Sequence, residues 1–228
     1  MGSRHNIWPQ DRRKCENDFE QYAARREMAV NHKPKILLFD LGGVIVPWVG
    51  TEALAASNNI THEQVAERFD SSKILSAYER GLVNDAEFLE ELPRVFDLPD
   101  TDIAALWNSW VHSPYPGTLK ALAELKTRYT LGCLSNTNSL HWTYLNAMFS
   151  LEEVFDYPFA SHQLNEAKPD ADCYIKALGI MDATTEDVWF FDDTLANIEA
   201  ARALGLTAHH VDRIVGVLPI LKELELTF

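Results

Sequence analysis

Short apolar runs without polar alternation punctuate this chain, and longer stretches of helical period stand between them. Lys35-Ile-Leu-Leu-Phe-Asp40 is one such run, ended by a carboxylate and followed by Leu41-Gly42-Gly43. An unalternating apolar run of this length reads as a strand buried on both faces of a parallel sheet. Tyr129-Thr-Leu-Gly-Cys-Leu-Ser135 is a second such strand and Val188-Trp-Phe-Phe-Asp192 another; Phe155–Ser161 is a further extended piece and Leu206–Val211 a last strand. Helical stretches alternate with them. Pro116–Lys126 starts on proline, Asn138–Met148 follows the second strand, Asp170–Leu178 is closed by Gly179, and Thr194–Leu204 is closed by Gly205. Alternating helix and strand predicts an α/β fold, a doubly wound Rossmann-like parallel sheet.

The first and second strands are far apart, and residues 51–113 between them carry helical rather than strand signals. Thr61-His-Glu-Gln64 and Asn84-Asp-Ala-Glu87 have capping-box spacing. Val65 and Phe69, then Ile74, Leu75 and Tyr78, and later Phe88, Leu89 and Leu92 supply apolar stripes at near-helical period. The predicted organisation is a catalytic core from residues 35–50 and 114–228, an inserted small helical domain at 51–113, and an N-terminal helical extension at 1–34. In that extension Glu16–Val30 reads as a helix with Phe19, Tyr22 and Ala23 on one side.

Composition narrows the class. The 228 residues are 46% hydrophobic, enough for a substantial core, yet no apolar run approaches the about 20 residues of a membrane helix. Cys15, Cys133 and Cys173 lie far apart without paired spacing, so neither a disulfide framework nor a zinc site is expected. With no secretory hydrophobic segment, a cytoplasmic location is expected. The net charge of −14 argues against nucleic-acid and anionic-membrane partners. Charge is uneven: residues 1–33 hold seven Lys/Arg against five Asp/Glu, so the remainder carries −16. A helix docked on its own acidic core, or a dimer contact, is the expected role of this segment; monomer and homodimer both remain open.

Ligands of parallel sheets bind beyond the carboxyl ends of the strands, and there the chain places its polar groups. Asp40 ends the first strand, Ser135-Asn136-Thr137-Asn138 the second, and Asp192-Asp193 a later one, while Lys168-Pro169-Asp170 stands before a helix start. Each alone has a plain structural explanation: Asp40 in a turn, Ser135 as a helix cap, Lys168 as a solvated charge, the acidic pair as caps. Together, two carboxylate strand ends, a hydroxyl and an ammonium can converge on one phosphoryl group and one divalent cation.

In this order the motifs resemble the haloacid dehalogenase-like superfamily, over about residues 35–226. A finer similarity is to bacterial sugar-phosphate phosphatases typified by the alpha-D-glucose-1-phosphate phosphatase. Phe39-Asp40-Leu41-Gly42, Leu134–Asn138 with His141, Lys168-Pro169-Asp170 and Phe190–Asp193 with Asn197-Ile198-Glu199 carry it. The resemblance implies a phosphatase with the 51–113 insertion as a cap over the site, and a small phosphorylated metabolite, a sugar phosphate, as substrate. Phosphoryl transfer needs an in-line nucleophile, neutralised phosphoryl oxygens and a screening metal. Asp40 is then the nucleophile, forming an aspartyl-phosphate. Asp40, Asp192 and Asp193 are hard oxygen ligands suited to Mg²⁺, and the family's metal contact at Gly42 is a backbone carbonyl. Lys168, the Ser135 hydroxyl and the Asn136 N–H would hold phosphoryl oxygens.

Most of these phosphatases carry at position 42 a second aspartate that protonates the leaving group; here it is glycine. Three consequences stay open: a slow enzyme, a replacement acid from the cap, or a leaving group, such as an anomeric oxygen, that needs little protonation. Trp48, Tyr78, Glu79, Arg80, Trp107 and Trp110 are candidate sugar contacts. His141 opens the helix after the Ser-Asn turn, where it either approaches the site or lies on the helix surface. Adjacent His209 and His210 on a strand point to opposite faces, against a shared metal role. The rivals are a 2-haloacid dehalogenase, in which an acidic pair would repel the substrate, and a non-catalytic phosphate-binding regulatory protein.

Overall fold

Five strands form one parallel sheet: β1 (Ile36–Phe39), β2 (Thr130–Ser135), β3 (Tyr157–Ala160), β4 (Val188–Asp192) and β5 (Thr207–His210), in the order β3-β2-β1-β4-β5. The computed structural model describes residues 33–98 and 102–226. The expected helix at Glu16–Val30 and Cys15 lie outside the described residues.

The unbroken apolar runs have a direct cause. Along β1, Leu37 and Phe39 enter one buried cluster with Leu131, Cys133 and Phe191, while Ile36 and Leu38 enter another with Leu134 and Phe190. Both faces are covered, so neither phase of the strand can be polar. Of the helices, α1 (Gly50–Asn58), α2 (His62–Ser72), α3 (Ile74–Glu79), α4 (Asp85–Phe96) and α5 (Ile103–Ser109) lie between β1 and β2. α6 (Thr118–Leu125), α7 (Ser139–Phe149), α8 (Leu151–Val154), α9 (Ser161–Leu164), α10 (Ala171–Met181), α11 (Leu195–Ala203) and α12 (Leu218–Glu223) complete the chain. Leu122 and Leu125 of α6, Leu145 of α7 and Leu221 of α12 cover the first face; Cys173, Tyr174 and Ala177 of α10 with Ile198 and Ala201 of α11 cover the second. This is the predicted doubly wound sheet. β3 sits at an edge and pairs only with β2, which is why its Pro158 is tolerated.

One expected boundary fails. α10 runs through Gly179 to Met181 and stops at Asp182, in left-handed conformation with φ 49°. Cys173, Tyr174, Ala177 and Met181 form one buried stripe, so burying Met181 requires the extra turn. Gly179 faces open space and keeps ordinary helical geometry.

The five helices between β1 and β2 have their own core of Leu54, Val65, Phe69, Tyr78, Phe88, Leu92, Phe96, Trp107 and Trp110. Both expected capping boxes are present, at Thr61 with Gln64 and at Asn84 with Glu87. The two crossings into this helical insert pair with each other as an antiparallel bridge, Trp48 with Val111. Tyr78, Trp107 and Trp110 are thus buried structural residues; Phe88 stacks on Tyr78 at 4.1 Å and meets Trp107 edge-on.

Candidate active site

The order in which strands are added reverses between β1 and β4, because β2 and β3 build out to one side and β4 and β5 to the other. Such a switch point opens a crevice at the carboxyl ends of the strands. Phe39 is in register with Cys133 and Phe191, so the next residues, Asp40 just past β1 and Asp192 at the end of β4, lie side by side. The Asp40 N–H donates to the Phe191 carbonyl at 2.8 Å, which fixes the height of the Asp40 side chain.

Lys168 comes to the same point from the loop before α10. It is buried rather than solvated, with Nζ 2.6 Å from Asp192 Oδ2 and 3.0 Å from Asp40 Oδ1. Asn136 holds that loop: its side-chain amide donates to the Lys168 carbonyl at 2.8 Å and accepts from the Lys168 N–H at 2.9 Å. Asp192 is enclosed, accepting also from Thr194 N–H at 2.8 Å and from the Asn197 amide at 3.0 and 3.1 Å. Asp193 is partly open, with Arg213 Nε 3.7 Å from its Oδ2. Gly43 explains how Asp193 gets so near the first strand. At φ +73° a Cβ there would lie 2.3 Å from Asp193 Oδ2, so only glycine lets the two segments meet.

Burial decides the electrostatics. It pushes the Asp40 carboxyl up to about 7; Lys168 pulls it back, and Asp192 and Asp193 push it further up. For Lys168 burial works against the charge, but Asp192 and Asp40 outweigh it and hold the ammonium above its ordinary value. Asp193 is raised by burial and then by Asp192, against Arg213. Oxygens of Asp40, Asp192 and Asp193 lie within 4.8 Å of one another. Although Lys168 is close, buried Asp40 Oδ1 receives no well-directed hydrogen bond. Three carboxylates with oxygens this close, against one buried ammonium, fit a hard divalent cation with oxygen ligands.

Asp40 and Asp193 open onto a cavity of about 210 Å³ whose wall also includes Gly42, Ser135, Asn136 and Glu79; Lys168 and Asp192 lie behind Asp40 with their side chains buried. Ser135 is buried, and its Oγ makes no hydrogen bond among the described residues, which leaves it free for a ligand. The cap of α7 is Asn138, not Ser135; its side chain accepts from the His141 N–H at 3.0 Å. His141 is buried and lines the cavity, so it approaches the site rather than lying on the helix surface, but its ring is fully engaged. Its ring stacks on Trp107 at 4.7 Å, Nε2 donates to the Trp107 carbonyl at 3.0 Å, and Nδ1 meets the Asn138 amide at 3.3 Å. Burial lowers it to about 4, so the imidazole is neutral and both nitrogens are used. His209 packs against Phe191 while His210 bonds the Asp193 carbonyl, so the pair shares no ligand.

The structure therefore brings together Asp40, Gly42, Ser135, Asn136, Lys168, Asp192 and Asp193. Of the candidate sugar contacts, Trp48, Trp107 and Glu79 line the cavity, whereas Arg80 pairs with Asp170 at 2.7 Å. Sequence reasoning missed Arg213, which also donates to the Trp48 carbonyl at 3.0 Å. It lies past the last strand, outside any periodic segment, so no local signal marks it. It missed Gly43 as well, for which the tandem glycine was a usable sign.

A family model described as haloacid dehalogenase-like hydrolase matches residues 34–205. A sesquiterpene phosphatase of Aspergillus oryzae is 27% identical over 184 residues, covering 78% of this chain and 89% of its own. Phosphatase MT3486 of Mycobacterium tuberculosis is 27% identical over 194 residues, covering 78% and 87%. A HAD family enzyme of Bacteroides thetaiotaomicron, solved in complex with magnesium and inorganic phosphate, aligns with a TM-score of 0.68 at 26% identity, covering 78% of this chain and 94% of that one.

Proposed function

This chain belongs to the haloacid dehalogenase-like hydrolase family, and on that premise we propose that it is a Mg²⁺-dependent phosphatase acting on a small phosphorylated metabolite through an aspartyl-phosphate. The observation that carries the reading is the meeting of Asp40, Lys168 and the Asp192–Asp193 pair at one switch point, open to a cavity beside an unbonded Ser135 hydroxyl. Relatives named as phosphatases support it.

Asp40 attacks phosphorus in line and carries the phosphoryl group until water releases it. Lys168, Ser135 Oγ and the Asn136 N–H hold the phosphoryl oxygens. Asp40, Asp192, Asp193 and the Gly42 carbonyl would hold Mg²⁺, which supplies screening between the anionic attacker and the anionic substrate. The helical insert serves as the cap that excludes water and meets the leaving group.

A cavity of about 210 Å³ is below the roughly 300–1,000 Å³ of sites for drug-sized ligands, which favours a small substrate. Sugar phosphate is the finer reading and rests on the motif resemblance. Trp48, Leu75 and Val111 make much of the wall apolar, so a substrate panel needs size-matched alkyl phosphates beside hexose phosphates; preference for the alkyl esters removes the sugar assignment. A dehalogenase would have to seat a carboxylate substrate beside three carboxylates, which the acidic cluster disfavours. The test of the reading is turnover of an aryl phosphate that stops with chelator and returns with Mg²⁺. Chelator-resistant turnover, halide release from a 2-haloacid, or phosphate binding without turnover overturns it.

A further inference from the structure

The function proposed above, on which this inference rests, lacks a proton donor, since Gly42 offers no side chain where a second aspartate would stand. An ester oxygen leaving as an alkoxide needs one. The cavity wall narrows the choice: Asp40 is the attacker, Asp193 belongs to the cation group, and the nitrogens of His141 are both occupied. Arg213 is a permanent cation bound to Asp193 and to the Trp48 carbonyl. Glu79 remains. It is half-buried, lines the cavity, and has no hydrogen bond or ion pair among the described residues.

Its neighbours hold it there. Tyr78 OH donates to Asp85 at 2.7 Å, and Asp85 also accepts from Ser139 at the start of α7. Arg80 pairs with Asp170, two residues after Lys168, and its carbonyl accepts from the Asn165 amide at 2.9 Å. Gly81, at φ +68°, lies so close to the core that a Cβ would stand 2.4 Å from the His162 carbonyl. The end of α3 is thus pinned to the core on both sides of Glu79, which is left with the cavity.

We propose that Glu79 is the acid/base residue of this site, replacing the side chain absent at Gly42. In the first half-reaction Asp40 bonds to phosphorus, the ester P–O bond breaks, and the leaving oxygen takes the Glu79 proton. In the second, the Glu79 carboxylate takes a proton from water, that oxygen bonds to phosphorus, and the Asp40 ester bond breaks, giving inorganic phosphate, free Asp40 and protonated Glu79. Burial and then the Asp40 charge raise the Glu79 carboxyl to about 7, against Lys168 and Arg80, in keeping with a group that works in both forms.

The two half-reactions make the test specific. In Glu79→Gln, kcat/KM for an alkyl phosphate falls by about 10²–10⁴-fold, while kcat/KM for p-nitrophenyl phosphate, whose leaving group needs no proton, changes less than about tenfold. kcat falls for both, because release from Asp40 is shared, and phosphate accumulates on Asp40. Room exists for a rescue: a Cβ at Gly42 would meet only Trp48 Cβ, at 3.8 Å, so Gly42→Asp in the Glu79→Gln background restores alkyl turnover. Equal kcat/KM losses on both substrates, or none, overturn the role of Glu79 while turnover that needs Asp40 keeps the phosphatase reading. Absence of any turnover in the unaltered protein overturns both. Should Glu79→Gln misfold, the unaltered protein still decides, because kcat/KM that falls steeply with leaving-group pKa contradicts a proton donor.

Discussion

The strand tips and the end of α3 present carboxylates to the same cavity under opposite conditions. Asp192 is enclosed by Lys168, Thr194 and Asn197, whereas Glu79, held only through its neighbours, has no partner of its own among the described residues. A buried ion pair with its hydrogen bonds complete is costly to break but fixes geometry; an unpaired carboxyl costs stability and stays available for proton exchange. On the proposed reading, the sheet supplies a rigid cradle for the phosphoryl group and the cation, and the insert supplies the group that exchanges protons.

Removing the cation from the cradle has the largest expected effect on stability. Lys168→Met leaves Asp40 and Asp192 buried against each other and costs about 3–5 kcal/mol in urea unfolding with chelator present, a loss that Mg²⁺ partly restores. An unchanged midpoint would show that the cluster is not held by this pair.

At the joint between the regions, His141 gives a pH signature. Its folded value of about 4 lies below the ordinary 6.5, so folding favours the neutral ring. Its contribution is complete above about pH 6.5 and is lost as pH falls toward 4, a loss of about 3 kcal/mol. The difference in unfolding free energy between the protein and His141→Gln should shrink across that window. A constant difference contradicts the assignment.

How much of this contrast the residue string carried depends on locality. β1, β2 and β4 were legible because burial on both faces leaves unbroken apolar runs, and both capping boxes because they are local hydrogen-bond patterns. The motif residues were legible because parallel strands in register bring their carboxyl ends together. What the string could not show depends on long-range packing. Gly179 reads as a helix stop only until Met181 is known to be buried. Lys168 reads as a site residue, but its complete burial shows only once Asp40 and Asp192 are beside it. Tyr78 and Trp110 read as ligand contacts until the core they share is seen. Glu79 gains its separate status only from the contacts that pin Tyr78 and Arg80.

The tandem glycines sharpen the comparison further. Gly43→Ala should cost about 1–3 kcal/mol and weaken the acidic cluster, through its positive φ and the approach of Asp193. Gly42→Ala, in ordinary conformation with open space, should change stability by less than about 1 kcal/mol. Equal effects at both positions would remove the close-approach explanation. The smallest effect belongs to Glu79→Gln, which should leave thermal stability unchanged or raise it by up to about 1 kcal/mol; a clear loss would mean that Glu79 is a structural residue.

Direct chemical capture of the intermediate tests the central claim. The protein is mixed with Mg²⁺ and excess aryl phosphate, quenched in acid and mapped by peptide mass. The account predicts a hydroxylamine-labile phosphate on Asp40, absent with chelator and absent in Asp40→Asn together with turnover. Turnover that persists in Asp40→Asn, or a phosphate found on another side chain, would contradict it.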